Sequence, residues 1–349
     1  MTPRERWLAV LQGKKPDRIP MDYWATKEAS RKLLRHLGYS NIWQFFRNYH
    51  VDRVVAVRPR YVGPRLKPGY DMFGMRHKNI TYGNGAGVYR ECVTHPLAQF
   101  ETVEEIERNY TWPTADWFDY SEIPHQAALR RDYPLQGGGS EPFLIYKNLR
   151  GMEQAYEDML VNPELVHYCL DKLFDFCYEN TRRIYEQIPG QLVFSYIAED
   201  FGGQERLLFS PALIREYFLP RMKRMNDLAH EAGVHVFFHS DGSIRSIIPD
   251  MIAIGIDVLN PIQWRCKGME RAELKRDFGD KIVLHGAMDN QQTLPFGTVE
   301  DVRREVCENI EILGKNGGYV LAPCHNIQVV GPSENIVALY QTGYEYGWS

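Results

Sequence analysis

Short, continuous apolar runs, many of them β-branched, alternate along this chain with longer stretches in which apolar residues recur at helical spacing. The runs at 19–24, 51–57, 133–139, 191–198, 234–239, 256–263, 281–289 and 317–323 read as strands. Helices are predicted over 2–14, 27–37, 41–48, 162–187, 210–233, 243–253, 270–278, 298–313 and 332–346. Several have legible starts. Thr2 is an N-cap with Glu5 three residues later, Asn162-Pro163 and Ser210-Pro211 open two more, and Thr298 opens another. The helix at 210–233 carries Ile214, Phe218, Met222, Met225 and Leu228 on one stripe and closes at Gly233. Strands alternating with helices mark a parallel α/β fold, and about eight such units favour a closed (β/α)8 TIM barrel over an open sheet.

The stretch from about 59 to 132 breaks this rhythm. It is rich in Gly, Pro and aromatic residues, with a hairpin expected around 80–90 and a capping box, Thr102 to Glu105, opening a short helix. An insert of this length after the second strand is expected either as a lid or wall over a site or as structural decoration. No internal repeat or linker divides the chain, so residues 1–349 are expected to form one domain.

Hydrophobic residues make up 44% and charged residues 25%, which places the chain among folded globules. A formal net charge of −4 argues against a nucleic-acid partner. No apolar run reaches membrane-spanning length and no apolar signal region opens the chain, so a cytoplasmic protein is expected. The 6 cysteines are scattered, as reduced thiols are; Cys92, Cys169, Cys177, Cys266 and Cys307 stand in no ligand pattern. Gly137-Gly-Gly139 lacks the lysine of a phosphate loop and reads as a tight turn.

The C-terminal strand ends carry Tyr23, Glu199-Asp200, His239 with Asp241, Asn260 and Gln263, His285 with Asp289, and Cys324-His325. In a barrel those ends share one face, where the chemistry sits. His239 and Asp241 are two apart and point the same way on an extended strand. With Cys324 they form a donor set of imidazole, carboxylate and thiolate that suits Zn²⁺; the alternative is a hydrogen-bonded His–Asp pair beside an inert cysteine. Glu199 and Asp200 point to opposite sides, so one at most faces the pocket, as acid/base, fourth ligand or helix-capping anion. His235 sits deeper and reads as a core histidine.

Several runs together resemble the uroporphyrinogen decarboxylase superfamily: Pro16-Asp-Arg-Ile-Pro, Ala198-Glu-Asp-Phe-Gly, His239-Ser-Asp-Gly, His285-Gly-Ala-Met-Asp-Asn-Gln, Pro323-Cys-His-Asn-Ile-Gln and Pro332-Ser-Glu-Asn-Ile. The resemblance covers nearly the whole chain and implies a barrel with a deep pocket. It is closer to the cobalamin-dependent methyltransferases than to the true decarboxylases. The decarboxylases' arginine-rich substrate-gripping segment is replaced by Tyr23-Trp-Ala-Thr-Lys-Glu-Ala, which cannot clamp several carboxylates. His239 and Cys324 match two zinc ligands of the methyltransferase branch, and Asp241 stands where a cysteine would be. The implied activity is transfer of a methyl group from a small donor, such as an aryl methyl ether, to a corrinoid on a partner protein. Tyr23, Asn260, Gln263, His285 and His325 would line the donor pocket, Glu199 or Asp200 would serve the metal or a proton, and a homodimer is implied. The rivals are a metal-free decarboxylase and a non-catalytic tetrapyrrole or corrinoid binder.

Overall fold

A computed structural model describes residues 1–85 and 87–348. Seven strands form one parallel sheet in chain order: β1 (Val55–Ala56), β2 (Leu135–Ser140), β3 (Phe194–Ala198), β4 (His235–His239), β5 (Val258–Ile262), β6 (Val283–Met288) and β7 (Tyr319–Pro323). The sheet is curled and flanked by helices, a TIM-barrel-like α/β fold.

The expected first strand, 19–24, is not a strand. One bridge, Met21 to Leu321, joins it in parallel to β7, with Leu321 N–H donating to Pro20 O at 2.9 Å and Asp22 N–H to Leu321 O at 2.9 Å. On its other flank, Asp52 N–H donates to Met21 O at 2.6 Å. Carboxylates supply the remaining acceptors: Met21 N–H donates to Asp52 Oδ2 at 3.0 Å and Val54 N–H to Asp22 Oδ1 at 3.2 Å. The same substitution of side-chain for backbone acceptors shortens the expected strand at 51–57 to β1. Asp52 is fully buried and also binds Arg6 Nη1 at 2.6 Å and Arg18 Nη1 at 2.8 Å.

Inside the curl, side chains stack in layers, because alternate strand residues face one side. The lowest layer holds Phe194, Phe237, Val258, Val283 and Val320. Trp7, fully buried on the helix Pro3–Leu11, closes this end, 5.0 Å edge-on to Phe194. Two residues further along each strand come Tyr196, His239, Asn260 and His285. The apolar layer is thus the floor beneath the polar one.

Helix starts follow the sequence closely. Thr2–Glu5, Thr102–Glu105 and Thr298–Asp301 form complete capping boxes, and the helix Lys27–Leu37 is capped by Thr26 and ended by Gly38 in the left-handed region. The helix expected over 210–233 is interrupted. A short turn, Pro211–Leu213, runs into a π-turn, Ile214–Phe218, before Leu219–Glu231. Pro220 has no N–H to give, and the ladder shifts register ahead of it.

The insert contains the expected hairpin, His77–Tyr82 against Gly87–Cys92; Ala86 lies outside the described residues. Tyr82 Oη donates to Gln328 Oε1 at 2.5 Å, fastening the hairpin to the loop after β7. The triple glycine serves close packing. A Cβ on Gly139 would lie 1.9 Å from Tyr196 O, and its φ of +128° excludes side chains in any case. Among the described residues, no helix is long and apolar enough to cross a membrane.

Candidate active site

His239 ends β4, 7% exposed, above the Phe237 floor. Its Nε2 lies 3.8 Å from Asp200 Oδ1 and 4.0 Å from Asp241 Oδ1. Asp200 follows β3 and is exposed; Asp241 lies two residues beyond β4, and its Oδ2 is 3.7 Å from His325 Nε2. One ligand atom from each of Asp200, His239 and Asp241 falls within 4.8 Å of the others. An ion held about 2 Å from each of its donors spaces them by about 3.5 Å, so a small inward movement would close such a shell.

The residues fit a cation by a second criterion. Asp241 Oδ1 is buried with no hydrogen-bond partner. Burial raises the Asp241 pKa, and the Asp200 charge adds to this against the opposing pull of His239 and His325. A buried carboxylate oxygen with neither donor nor proton is costly, and a cation would satisfy it.

Cys324 is not gathered into this group. Its Sγ donates to Ile262 O at 3.2 Å, and burial, with Asp289, Glu305 and Asp241 nearby, pushes the thiol pKa well above its usual value. Glu199 turns away, as strand alternation requires: its Oε1 accepts from Phe143 N–H at 2.8 Å, capping the helix Pro142–Arg150. Burial raises its pKa strongly; the Phe143 bond opposes this and the charges of Glu141 and Asp200 reinforce it. The folded state therefore holds a proton that the unfolded state releases above about pH 4.3. Stability from this group is lost as pH rises through the folded pKa. Glu199→Gln keeps the acceptor and removes the titration. Its thermal midpoint should fall less than wild type's between about pH 5 and pH 8, a relative gain of a few degrees by scanning calorimetry.

The remaining expected residues divide. Gln263 Oε1 accepts from Gly242 N–H at 2.8 Å and holds the loop that carries Asp241. Asn260 Oδ1 meets His239 Nδ1 at 2.5 Å, and Asn260 Nδ2 meets His285 Nδ1 at 2.6 Å. Asp289 caps the turn Thr293–Phe296, binding Thr293 N at 3.0 Å, and pairs with Arg265. Tyr23 is packed among Phe45, Phe46 and Tyr340, with its hydroxyl on Ser30. Its neighbour Trp24 occupies the site instead, stacked on His239 at 5.8 Å and 19°. His235, expected in the core, is half-buried at the other end of β4 and faces Asp257 at 3.4 Å.

Sequence reading also missed Glu141, just past β2. Burial raises its pKa against the pull of His239, while Asp200 and Asp241 push it further up. Its position directly after a strand was the available signal.

A profile of the family "Uroporphyrinogen decarboxylase (URO-D)" matches residues 93–346, more than half of the chain. The chain belongs to the uroporphyrinogen decarboxylase family. A uroporphyrinogen decarboxylase of Psychromonas ingrahamii is 26% identical over 211 residues, 58% of this chain and 52% of that protein. The chain thus spans about half the length of the curated decarboxylases it matches. The methylcobamide:CoM methyltransferase MtaA of Methanosarcina barkeri is 22% identical over 360 residues, covering 99% of this chain and 98% of that protein. The solved structure of a methyltransferase from Methanosarcina mazei superposes with a TM-score of 0.67 at 18% identity, over 99% of both chains, a likeness of fold.

Proposed function

We propose that this chain is a zinc-dependent methyltransferase that moves a methyl group from a small O-methyl compound, an aryl methyl ether above all, to a corrinoid carried by a partner protein. The observation that carries this reading is the group of Asp200, His239 and Asp241 with its orphaned carboxylate oxygen. End-to-end similarity to a methylcobamide methyltransferase supports it.

His239 Nε2, Asp200 and Asp241 would hold the ion, with the Cys324 thiol as a further donor once freed from Ile262 O. Bound there, zinc would act as a Lewis acid on the ether oxygen, and a shell poor in thiolate makes it a stronger one. The flat faces of Trp24 and Tyr196, both against His239, would take the aryl ring. When the methyl group leaves to the corrinoid, the oxygen departs with the C–O electron pair and needs a proton. Glu141, whose pKa burial raises and which feels the charges of His239, Asp200 and Asp241, would be the candidate to give one. The reading carries with it a cytoplasmic enzyme, a homodimer, and the insert's hairpin as one wall of the donor site.

Elemental analysis of wild type, Asp241→Ala and Cys324→Ala tests it. About one zinc per wild-type chain, lost in Asp241→Ala, is the expected result. Zinc kept in Cys324→Ala would assign the third position to Asp200, and zinc lost there would assign it to the thiol. A wild type free of metal and unable to take zinc up would overturn the reading in favour of metal-free decarboxylation, the activity in the matching family's name.

A further inference from the structure

Beneath the metal group, a chain of polar side chains crosses the interior of the sheet. It runs from His239 Nδ1 to Asn260 Oδ1 at 2.5 Å, from Asn260 Nδ2 to His285 Nδ1 at 2.6 Å, and from His285 Nε2 to Asp22 Oδ2 at 3.2 Å. Asn260 is 1% exposed, and His285 and Asp22 are fully buried. Each link has a direction, and Asp22 sets them all.

Asp22 is ionised. Burial would raise its pKa, but the Arg53 charge and the hydrogen bonds from His285 and Trp24 outweigh burial and hold it far below the carboxylate range. Its oxygens also accept from Tyr23 N–H at 2.8 Å and Trp24 Nε1–H at 2.8 Å. A carboxylate only accepts, so His285 must present a proton on Nε2. Burial lowers the His285 pKa against the pull of Asp22, and in the neutral ring, with its proton on Nε2, Nδ1 is a bare acceptor. An acceptor there orients the Asn260 amide with its NH₂ toward His285 and its oxygen toward His239. An oxygen beside His239 Nδ1 requires a proton on that nitrogen. In the neutral ring the Nε2 lone pair then faces Asp200 and Asp241.

We infer that Asp22, His285 and Asn260 are positioning residues: they act as a polarity relay that fixes His239 in its Nδ1–H tautomer and so keeps Nε2 permanently available as a donor to a cation. The purpose assigned to the relay rests on the metal reading above; its existence does not. Such outer partners commonly alter metal affinity by about 10- to 100-fold.

The test uses full-length, metal-free protein labelled with ¹⁵N-histidine, at about pH 8.5, where imidazoles are neutral. Long-range ¹H–¹⁵N spectra report the tautomer, and His239 is assigned as the signal missing from His239→Ala. His285→Gln offers an amide oxygen to Asn260 and an amide NH₂ to Asp22, so it preserves the polarity. His285→Phe preserves a ring against Trp7 and Phe237, 5.8 Å and 5.0 Å away, and removes both links. Wild type and His285→Gln are expected to show Nδ1–H alone. His285→Phe is expected to show both tautomers and to bind zinc about 10- to 100-fold more weakly, by competition with a chromophoric chelator.

An Nε2–H tautomer in wild type overturns the inference. So does a His285→Phe spectrum identical to wild type, or a His285→Gln spectrum that behaves like His285→Phe. Should His285→Phe not fold, by near-ultraviolet circular dichroism, the wild-type and His285→Gln spectra still decide. A protein with the Nδ1–H tautomer that never binds zinc would sink the metal reading and leave the relay standing.

Discussion

His239→Ala is expected to lose metal and methyl transfer together, with zinc falling from about one to less than about 0.1 per chain and turnover falling by at least about 10³-fold. The substitution removes the only donor of the group that is neither exposed nor in a loop: Asp200 is exposed, and Asp241 lies beyond the strand. Two carboxylates without the imidazole are a weak and mobile pair. The fold should survive, because the apolar layer of Phe194, Phe237, Val258, Val283 and Val320 below does not depend on the ring. One cost remains: the Asn260 amide oxygen loses its buried donor, worth about 1–3 kcal/mol. Elemental analysis, a methyl-transfer assay with reduced cobalamin and a thermal melt read the three effects separately. A variant that keeps its zinc would remove His239 from the site.

Asp52→Ala is expected to have the largest effect on stability, a loss of at least about 3–5 kcal/mol, which many domains do not survive. Asp52 accepts from Arg6, Arg18 and Met21 N–H while itself fully buried. Without it the two guanidinium groups fare differently. Arg6 keeps Asp17, at 2.7 Å, whereas Arg18, 4% exposed, keeps the carbonyls of Ile19 and His50 and the face of Tyr344, with no second carboxylate among the described residues. A buried cation without an anion is the costly product. Arg18→Met in the same chain removes that cation, and the double variant should recover a good part of the loss. Urea titration of the single and double variants measures it. Equal midpoints for Asp52→Ala and wild type would show that the pair contributes nothing.

Most of the fold was legible because its causes are local. Capping boxes need only four residues, and the stripe at Ile214, Phe218, Met222 and Met225 is visible whatever packs on it. The strand at 19–24 was misread for the opposite reason. Its apolar pattern is real, but on the β1 side, side-chain carboxylates replace ladder carbonyls: Met21 N–H goes to Asp52, and Val54 N–H comes to Asp22, and the folding of a distant segment decides that. The charged residue inside the run, Asp22, was the visible sign. Pro220 was a comparable sign for the π-turn. At the site, His239, Asp200 and Asp241 were nameable because strand ends collect polar groups. Trp24 in place of Tyr23, the capping role of Glu199 and the carbonyl bond of Cys324 depend on which way a side chain turns at a strand end, and spacing leaves that open.

The join between residues 20–22 and β1 also governs how far neighbouring strands are staggered. Ordinary ladders repeat, so a slip by two residues recovers nearly the same bonds. Here Met21 N–H and Val54 N–H each reach a single carboxylate, and Asp52 N–H reaches Met21 O. A slip would take one backbone donor from each of two buried carboxylates and leave Met21 N–H and Val54 N–H without those acceptors. The stagger around the sheet is therefore keyed at one place by two aspartates, and this brings Asp22 level with His285 and, through Asn260, with His239.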